Sequence, residues 1–265
     1  MLDYLAIGHI AQDLTPDGVR LGGSATYAAL TAHAFGLNTG IVTAAAPEAT
    51  LAGLDGVQVH CLPSRHSATI ENIYGSDGRV QILHAQAELL TVAAIPAKWQ
   101  DAQIVHLAPI ANEVHPNLVA FFPSAFVGVT PQGWMRKWDA AGRVTSAPWQ
   151  SAEMVLAKAA AAAVSIEDAA GDWNLIERWA AVAKILAVTE GEKGATVFWR
   201  GERRQFPAPA VTVIDPTGAG DIFAASFFIR LWQTGEAWEA ARQAVSIASD
   251  SVTRTGIEGV AKQYS

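Results

Sequence analysis

The chain has 265 residues, of which 51% are hydrophobic and only 16% charged, so it is long enough and apolar enough to bury a large core. Its formal net charge of −7, with no run of lysine and arginine, argues against a nucleic-acid partner, because binding to a phosphate backbone requires basic patches. A single cysteine, Cys61, excludes an intramolecular disulfide. The first residues lack a basic segment, and no apolar run reaches the length of a membrane span, so we expect a cytoplasmic protein that does not bind membranes.

The first predicted strand covers residues 4–8 and is followed by a carboxylate, Asp13. Ligands of open α/β sheets bind at the carboxyl ends of the strands, which makes Asp13 a candidate binding residue, although an aspartate in such a loop is more often a turn former. A turn then leads to Gly22 and Gly23, which precede a helix that extends to about Phe35.

Further strands are predicted at residues 39–46 and 57–62. Two segments, 67–74 and 79–84, alternate apolar and polar residues with period two across the glycine-rich turn 75–78. This pattern predicts a β-hairpin, but periodicity alone does not distinguish an edge hairpin from a lid over a binding site. No histidine pair has the spacing of a zinc site, so we do not expect a metal bound through histidine.

Two later strands, predicted at 102–109 and 127–130, both end in polar loops that we expect to face one crevice. The second loop carries Gln132 and Arg136. These residues could contact a substrate or a phosphate, or they could simply begin a helix with an exposed arginine, and the pattern fits both alternatives about equally well. An alanine-rich stretch at 151–163 predicts a helix that leads into a tightly packed strand.

A buried strand at 185–189 precedes a loop that contains Thr189, Gly191 and Gly194, and a further strand follows at 195–199. As a bare pattern, this loop is either a hairpin turn or a phosphate-binding loop, because glycine serves both purposes.

A short β-branched run at 210–214 predicts a strand that enters the sequence Gly218-Ala219-Gly220-Asp221, and residues 222–232 are apolar at almost every position. The glycines remove side chains that would block a closely approaching ligand, and the free N–H groups and dipole of the first helical turn favour an anion. Asp221 in the simplest case is a helix cap, but so apolar a helix places its carboxylate in the middle of the molecule. We therefore predict an anion site here, followed by a helix at 237–249.

The run Asp215-Pro216-Thr217-Gly218-Ala219-Gly220-Asp221 resembles the C-terminal signature Asp-Thr-x-Gly-Ala-Gly-Asp of the ribokinase-like, or PfkB, carbohydrate kinases, with an inserted proline. The resemblance spans nearly all of the chain. It implies one domain, 1–265, with an α/β fold: a three-layer αβα sandwich around a doubly wound, mostly parallel sheet, with a small β lid built from about 12–21 and 66–90. It also implies ATP-dependent phosphorylation of a hydroxyl group on a sugar, an inositol-like polyol or a nucleoside.

The resemblance also implies roles for individual residues. Asp221 would be the general base, and the backbone N–H groups of Gly218, Ala219, Gly220 and Asp221 would hold the charge on the transferred phosphoryl group. Residues expected at the acceptor are Asp13, Gly22, Gly23, Tyr27, Gln132 and Arg136. Residues expected at the nucleotide are Ser165, Thr189, Gly191, Gly194, Thr217 and Ser249. Tyr27 stands where many members have an asparagine, and the run around Gln132 and Arg136 is similar to a subgroup that includes inositol and nucleoside kinases, so we expect an acceptor other than ribose.

Magnesium is the metal that the resemblance implies. Where the family usually has Asn-x-x-Glu, this chain has Ser165-Ile166-Glu167-Asp168, so Asp168 keeps the charge on a side chain one methylene shorter. We expect Asp168 at the metal, and backbone carbonyls around Asp215 at a monovalent cation such as K⁺.

Two other functions remain open from the sequence. The first is a non-catalytic sensor that keeps the fold and binds nucleotide or sugar without turnover, which the changes at Tyr27, Ser165 and Asp168 would favour. The second is a kinase of a vitamin-like heteroaromatic alcohol. The edge strands of the lid would also allow a homodimer.

Overall fold

The computed structural model describes residues 1–75 and 78–264, so Ser76 and Asp77, in the turn predicted at 75–78, lie outside the described residues. The strands, in chain order, are β1 (Tyr4–Ile7), β2 (Ala11–Thr15), β3 (Gly18–Gly22), β4 (Thr39–Ala45), β5 (Gln58–Pro63), β6 (Ala68–Gly75), β7 (Gly78–Ala85), β8 (Ile104–Leu107), β9 (Phe126–Val129), β10 (Arg136–Trp138), β11 (Val144–Ser146), β12 (Ala161–Ser165), β13 (Ile185–Thr189), β14 (Ala195–Trp199) and β15 (Glu202–Phe206). The α-helices are α1 (Ser24–Ala34), α2 (Ala152–Lys158), α3 (Trp173–Val182), α4 (Ala219–Thr234) and α5 (Ala237–Ser251).

The main sheet has nine strands in the order β15-β14-β13-β12-β9-β8-β1-β4-β5. The strands from β13 to β5 in this order pair in parallel, whereas β14 and β15 add an antiparallel edge. Strand β1 pairs with both β4 and β8, so the strand order reverses at β1. Such a reversal opens a crevice at the carboxyl ends of the two neighbouring strands, and this crevice is where open α/β sheets bind ligands.

Helices cover both faces of the main sheet and make it the middle of three layers. On one face, Ala29 of α1 and Ile229 of α4 share a core with strand residues such as Ile41. On the other face, Val155 of α2 and Ile176 of α3 belong to a separate core. Because the central parallel strands are apolar on both sides, they are buried from both faces, and the predicted three-layer α/β architecture is confirmed.

Helix α4 is buried along its central part, from Ile222 to Ile229, and lies beside both α1 and α5. Its side chains are apolar on nearly every side, as expected for a helix that does not face solvent. Phe228 packs on Gly128 of β9, where an added Cβ would lie closer than 3.0 Å to the phenyl ring. This contact fixes α4 across the middle of the sheet.

A second sheet has the order β3-β2-β6-β7, and we call it the small sheet. Alternation along its strands places Asp13 and the buried Ile70 on one face and the exposed Val19 on the other. The hairpin β10–β11 lies against its β7 edge, where the N–H of Leu83 donates to the carbonyl of Gly142 at 2.8 Å. In the part of the chain that the structure describes, no helix combines the length and the apolar character needed to cross a membrane.

Most predicted elements are confirmed, but the strand predicted at 210–214 is wrong. This segment pairs with no strand, and the N–H of Ile214 donates to the carbonyl of Val252 at 2.8 Å. Pro207 and Pro209 follow the edge strand β15 and cannot donate to a strand ladder, which explains why β-branched residues alone do not extend the sheet.

The helix predicted at 151–163 is also shorter than expected. It ends at Lys158 because Ala161 already begins a buried strand. The hairpin β10–β11, helix α3 and strand β15 were not predicted. Strands β10 and β11 have only three residues each, which is too short for a clear period-two pattern.

Candidate active site

The N-terminus of α4 forms the centre of the crevice. Gly218 precedes the helix with φ = 80°, a left-handed conformation that glycine adopts without strain. Among the described residues, the N–H groups of Gly220 and Asp221 donate to no backbone carbonyl, whereas the N–H of Ile222 already donates to Gly218. No protein atom lies within 4 Å of the place where a Cβ of Gly220 would be. The turn therefore offers two N–H donors beside an open space.

Tyr27 of α1 lies directly against this turn. An added Cβ at Gly218 would lie closer than 3.0 Å to the Tyr27 ring, and the ring is almost fully buried. Burial raises the pKa of the Tyr27 hydroxyl well above its usual value, and the negative charges of Asp13, Asp221 and Asp215 contribute to the increase. Tyr27 thus contacts the α4 turn with its ring and lies in the electric field of all three carboxylates.

The carboxylate of Asp221 has a pKa near neutrality. Burial raises this pKa to about 6, the charge of Asp168 adds to the increase, and a hydrogen bond from Ser24 and the charge of Arg136 oppose it. Arg136 is held in place because its Nη1 donates to the carbonyl of Ile110 at 3.0 Å. The structure therefore brings Asp221 together with Asp168 and Arg136, two of the residues predicted at the site.

Ser24 was not predicted as a site residue. It is the first residue of α1 and is buried, with 3% of its surface exposed. Its only sequence signal was its position directly after Gly22 and Gly23, and that position does not show that its hydroxyl meets a carboxylate from the other end of the chain.

Asp13 packs against Gly22 on the small sheet. An added Cβ at Gly22 would lie closer than 3.0 Å to the Asp13 carboxylate, so only glycine leaves room for it. Gly23 has φ = 92° and also lies close to backbone, at the carbonyl of His9. The structure thus places Asp13, Gly22 and Gly23 together at the mouth of the crevice, next to Tyr27.

The carboxylate of Asp215 is engaged by protein. It accepts hydrogen bonds from the N–H of Thr217 at 2.9 Å and from the N–H of Gly256 at 2.9 Å. Burial raises the pKa of Asp215, but hydrogen bonds from Thr217 and Gly256 outweigh burial and leave the pKa below its usual range. Asp215 therefore joins the α4 turn to the loop after α5.

The loop from Thr189 to Gly194 is a hairpin turn between β13 and the antiparallel β14. Thr189 pairs with Ser165, so both lie at the same edge of the sheet as Asp168. Gly194 has φ = 91°, and an added Cβ would collide with the carbonyl of Phe206. Close packing against β15 is therefore sufficient to explain why this position is a glycine. Gly191 has no protein atom near its Cβ position.

Two further predicted residues lie on separate elements. Gln132 begins the short 3₁₀ helix Gln132–Met135, and Ser249 is buried in the last turns of α5. Among the described residues, no group of three or more His, Cys, Asp or Glu side chains has the geometry of a metal site.

Known proteins resemble this chain in sequence and in fold. The sequence profile of the pfkB family carbohydrate kinases matches residues 158–262, which include α4. A cytidine kinase of Thermococcus kodakarensis is 29% identical over 253 residues, which cover 86% of this chain and 87% of that protein. A pyrophosphate-dependent kinase in the ribokinase family superimposes with a TM-score of 0.82 at 22% identity over 96% of both chains. A ribokinase of Thermotoga maritima superimposes with a TM-score of 0.74 at 19% identity over 98% of this chain and 96% of that one.

The two solved structures share the fold of this chain. The sequence match identifies residues 158–262 as a pfkB family carbohydrate kinase domain, and the protein is a phosphotransferase.

Proposed function

We propose that this enzyme transfers the γ-phosphoryl group of ATP to a hydroxyl group of a sugar, an inositol-like polyol or a nucleoside. The observation that carries the proposal is that the Asp221 carboxylate lies at the start of α4, beside two N–H groups that donate to no backbone carbonyl. Phosphoryl transfer to an alcohol requires a base next to a site that binds an anion.

In the proposed reaction, the acceptor hydroxyl lies between Asp13 and Asp221. As its oxygen attacks the γ-phosphorus, the O–H bond breaks and the proton passes to the Asp221 carboxylate. The P–O bond to the leaving ADP breaks, and the N–H groups of Gly220 and Asp221, together with that of Gly218, stabilise the charge on the phosphoryl oxygens. The N–H of Ala219 would join them only by leaving the carbonyl of Pro216, to which it donates at 3.3 Å. A pKa of about 6 keeps Asp221 ionised at neutral pH while leaving it basic enough to accept a proton.

Magnesium fits the residues present. Mg²⁺ in kinases is held by one or two carboxylates together with the phosphates of the substrate, and Asp168 lies within the electrostatic range of Asp221. When bound, Mg²⁺ would neutralise part of the charge of the phosphates. A monovalent cation such as K⁺ near Asp215 would be held by backbone carbonyls, because the Asp215 carboxylate already accepts two N–H groups.

The choice of ATP over pyrophosphate is supported by apolar surface beside the α4 turn. Val213 is 47% exposed and Ile214 is 64% exposed, immediately before Asp215. A nucleobase would cover such surface and gain free energy, whereas pyrophosphate has no apolar group to place there. Thr217, Ser249 and the hairpin turn with Thr189, Gly191 and Gly194 would line the remainder of this nucleotide site, and Ser165 would lie near the phosphates.

The small sheet is proposed to act as a lid. It carries Asp13 on the face that holds the acceptor, and its closure would exclude water from the transferring phosphoryl group.

The other face of the small sheet exposes Val19, Ile73 and Val80, and we propose that a second copy of the chain covers them in a homodimer. The proposal places the enzyme in the cytoplasm, where ATP is available.

The test is release of ADP from ATP and Mg²⁺ over a panel of sugars, inositols and nucleosides, with wild type and Asp221→Asn compared. We expect turnover on one acceptor class, with kcat reduced about 10²- to 10⁴-fold in the variant. Equal rates in both proteins would overturn the assignment of Asp221.

Light scattering that compares Val19→Lys with wild type tests the dimer. A lysine buried in this interface would prevent association, so we expect the variant to be a monomer.

A further inference from the structure

Trp138 is unusual among the nine tryptophans of the chain. Seven of them pair with another aromatic ring or with a cation, and Trp138 and Trp232 are the two without such a partner among the described residues. The indole N–H of Trp138 likewise has no acceptor in the described part of the chain. Trp232 lies near the far end of α4, about 16 Å along the helix from Asp221. Trp138 instead lies in β10, next to the crevice.

The alternation of β10 determines which way Trp138 faces. Arg136 and Trp138 are two residues apart and lie on the same face of the hairpin, while the exposed Lys137 between them lies on the other. The guanidinium of Arg136 donates to Ile110 and lies within the electric field of Asp221. The face of the hairpin that carries Trp138 is therefore the face turned toward the active-site crevice.

Trp138 completes an apolar wall. Together with Val144 it packs, only partly buried, against a cluster formed by Ala11, Ala68, Ile70, Leu83, Ile110 and Ala111. In the small sheet, Ile70 pairs with Asp13 and therefore lies on the same face. The acceptor side of the crevice thus has a polar part, at Asp13 and Gly22, and an apolar part that ends in a partly exposed indole ring.

We infer that the acceptor is a nucleoside, with a planar heterocycle that lies against Trp138 and a sugar hydroxyl that faces Asp221. The inference rests on the proposed function, because it names the acceptor of the same site. A nucleoside matches both parts of the crevice: its sugar offers hydroxyl groups to Asp13, and its base offers an apolar face to the indole.

A polyol fits this wall poorly. Hydroxyl groups around a free sugar or an inositol leave only small C–H patches for Ile70, Leu83 and Trp138, and a hydroxyl turned toward this wall would lack a hydrogen-bond partner. Burying a hydroxyl without a partner is unfavourable, so the apolar wall selects against such acceptors and in favour of a flat ring.

The experiment compares wild type with Trp138→Leu and Trp138→Phe, and uses Trp232→Leu as the matched control. Calorimetry would measure the binding of cytidine, uridine, adenosine, myo-inositol and fructose in the presence of a non-hydrolysable ATP analogue, and thermal melts would confirm that each variant folds. Steady-state assays would then give kcat and KM for the same five compounds.

Loss of base stacking is expected to weaken nucleoside binding by roughly 5- to 150-fold in Trp138→Leu, with most of the affinity kept in Trp138→Phe and in Trp232→Leu. Binding of myo-inositol or fructose should not weaken. The inference is overturned if wild type binds no nucleoside, or if Trp138→Leu weakens every compound equally. These outcomes are separate from the kinase function: Trp138-dependent binding without turnover would refute the proposed function alone, whereas turnover on a sugar without nucleoside binding would refute only this inference.

Discussion

The ring of Tyr27 lies against the backbone of Gly218, so that α1 directly supports the turn that begins α4. The contact joins a residue near the start of the chain to the anion site near its end.

The two glycines of this turn are expected to respond differently to alanine. Gly218→Ala should lower stability by more than about 1 kcal/mol, because it combines a left-handed conformation with a collision against Tyr27. Gly220→Ala should leave stability unchanged or raise it by about 0.5–1 kcal/mol, because its Cβ meets no protein atom, while activity falls because the methyl group fills the space for the phosphoryl group. Denaturant unfolding and kcat/KM measure the two effects. Full activity in Gly220→Ala would mean that no ligand approaches this residue.

The pH dependence of the reaction should report the ionisation of Asp221. A general base must be deprotonated, so kcat/KM should rise with pH and level off above about 6. Removing the positive charge in Arg136→Met should move this limb to higher pH, because Arg136 favours the charged form of Asp221. Asp168→Asn should move it to lower pH. Profiles that coincide for all three proteins would show that another group controls the acid limb.

Gly22→Ala is expected to damage acceptor binding selectively. The added Cβ would displace the Asp13 carboxylate, so KM for the acceptor should rise while KM for ATP stays unchanged. The control is Gly36→Ala, which meets no protein atom but has φ = 77°, so it lowers stability by about 1 kcal/mol without displacing Asp13 and separates a general loss of stability from an effect on the acceptor. Steady-state kinetics with each substrate varied in turn separates the two constants, and an equal rise in both would contradict the placement of Asp13 at the acceptor.

Ile214→Ser should distinguish the two phosphoryl donors. Losing the exposed apolar side chain beside the α4 turn is expected to raise KM for ATP several-fold and to leave any activity with pyrophosphate unchanged. The measurement is initial rate against the concentration of each donor. If wild type used pyrophosphate better than ATP, the nucleotide assignment would be wrong.

Tyr4→Phe should destabilise the fold. The Tyr4 hydroxyl is hydrogen-bonded to Nδ1 of His106 at 2.7 Å, and both residues are fully buried. Burial lowers the pKa of His106 to about 3, so its imidazole is neutral and needs a partner for Nδ1. Loss of that partner should cost about 1–3 kcal/mol of the free energy of unfolding at neutral pH, measured by urea titration. A cost below about 0.5 kcal/mol would show that water replaces the hydroxyl.

His106 also makes stability depend on pH. Its pKa is about 6.5 in the unfolded chain and about 3 in the folded protein, so below pH 6.5 the unfolded state binds the proton and stability falls until about pH 3.

The local features of the site could be predicted from sequence. The glycines at 218 and 220, the carboxylate after them and the apolar helix lie within one short stretch, so their chemistry follows from residue type and spacing. Gly22 and Gly23 were recognised for the same reason. The strand at 210–214 was mispredicted because β propensity does not show whether a partner strand has a free edge.

What the sequence alone determined is therefore the class of fold and the turn that could hold an anion, because hydrophobic periodicity and glycine placement are local properties of the chain. Only the tertiary structure decided which residues share the crevice. Ser24 reaches Asp221, Tyr27 lies against Gly218, and the β10–β11 hairpin turns Arg136 toward the site. These relationships join residues far apart in the chain, and they depend on how α1, α4 and the hairpin pack around the end of the sheet, which no local pattern records.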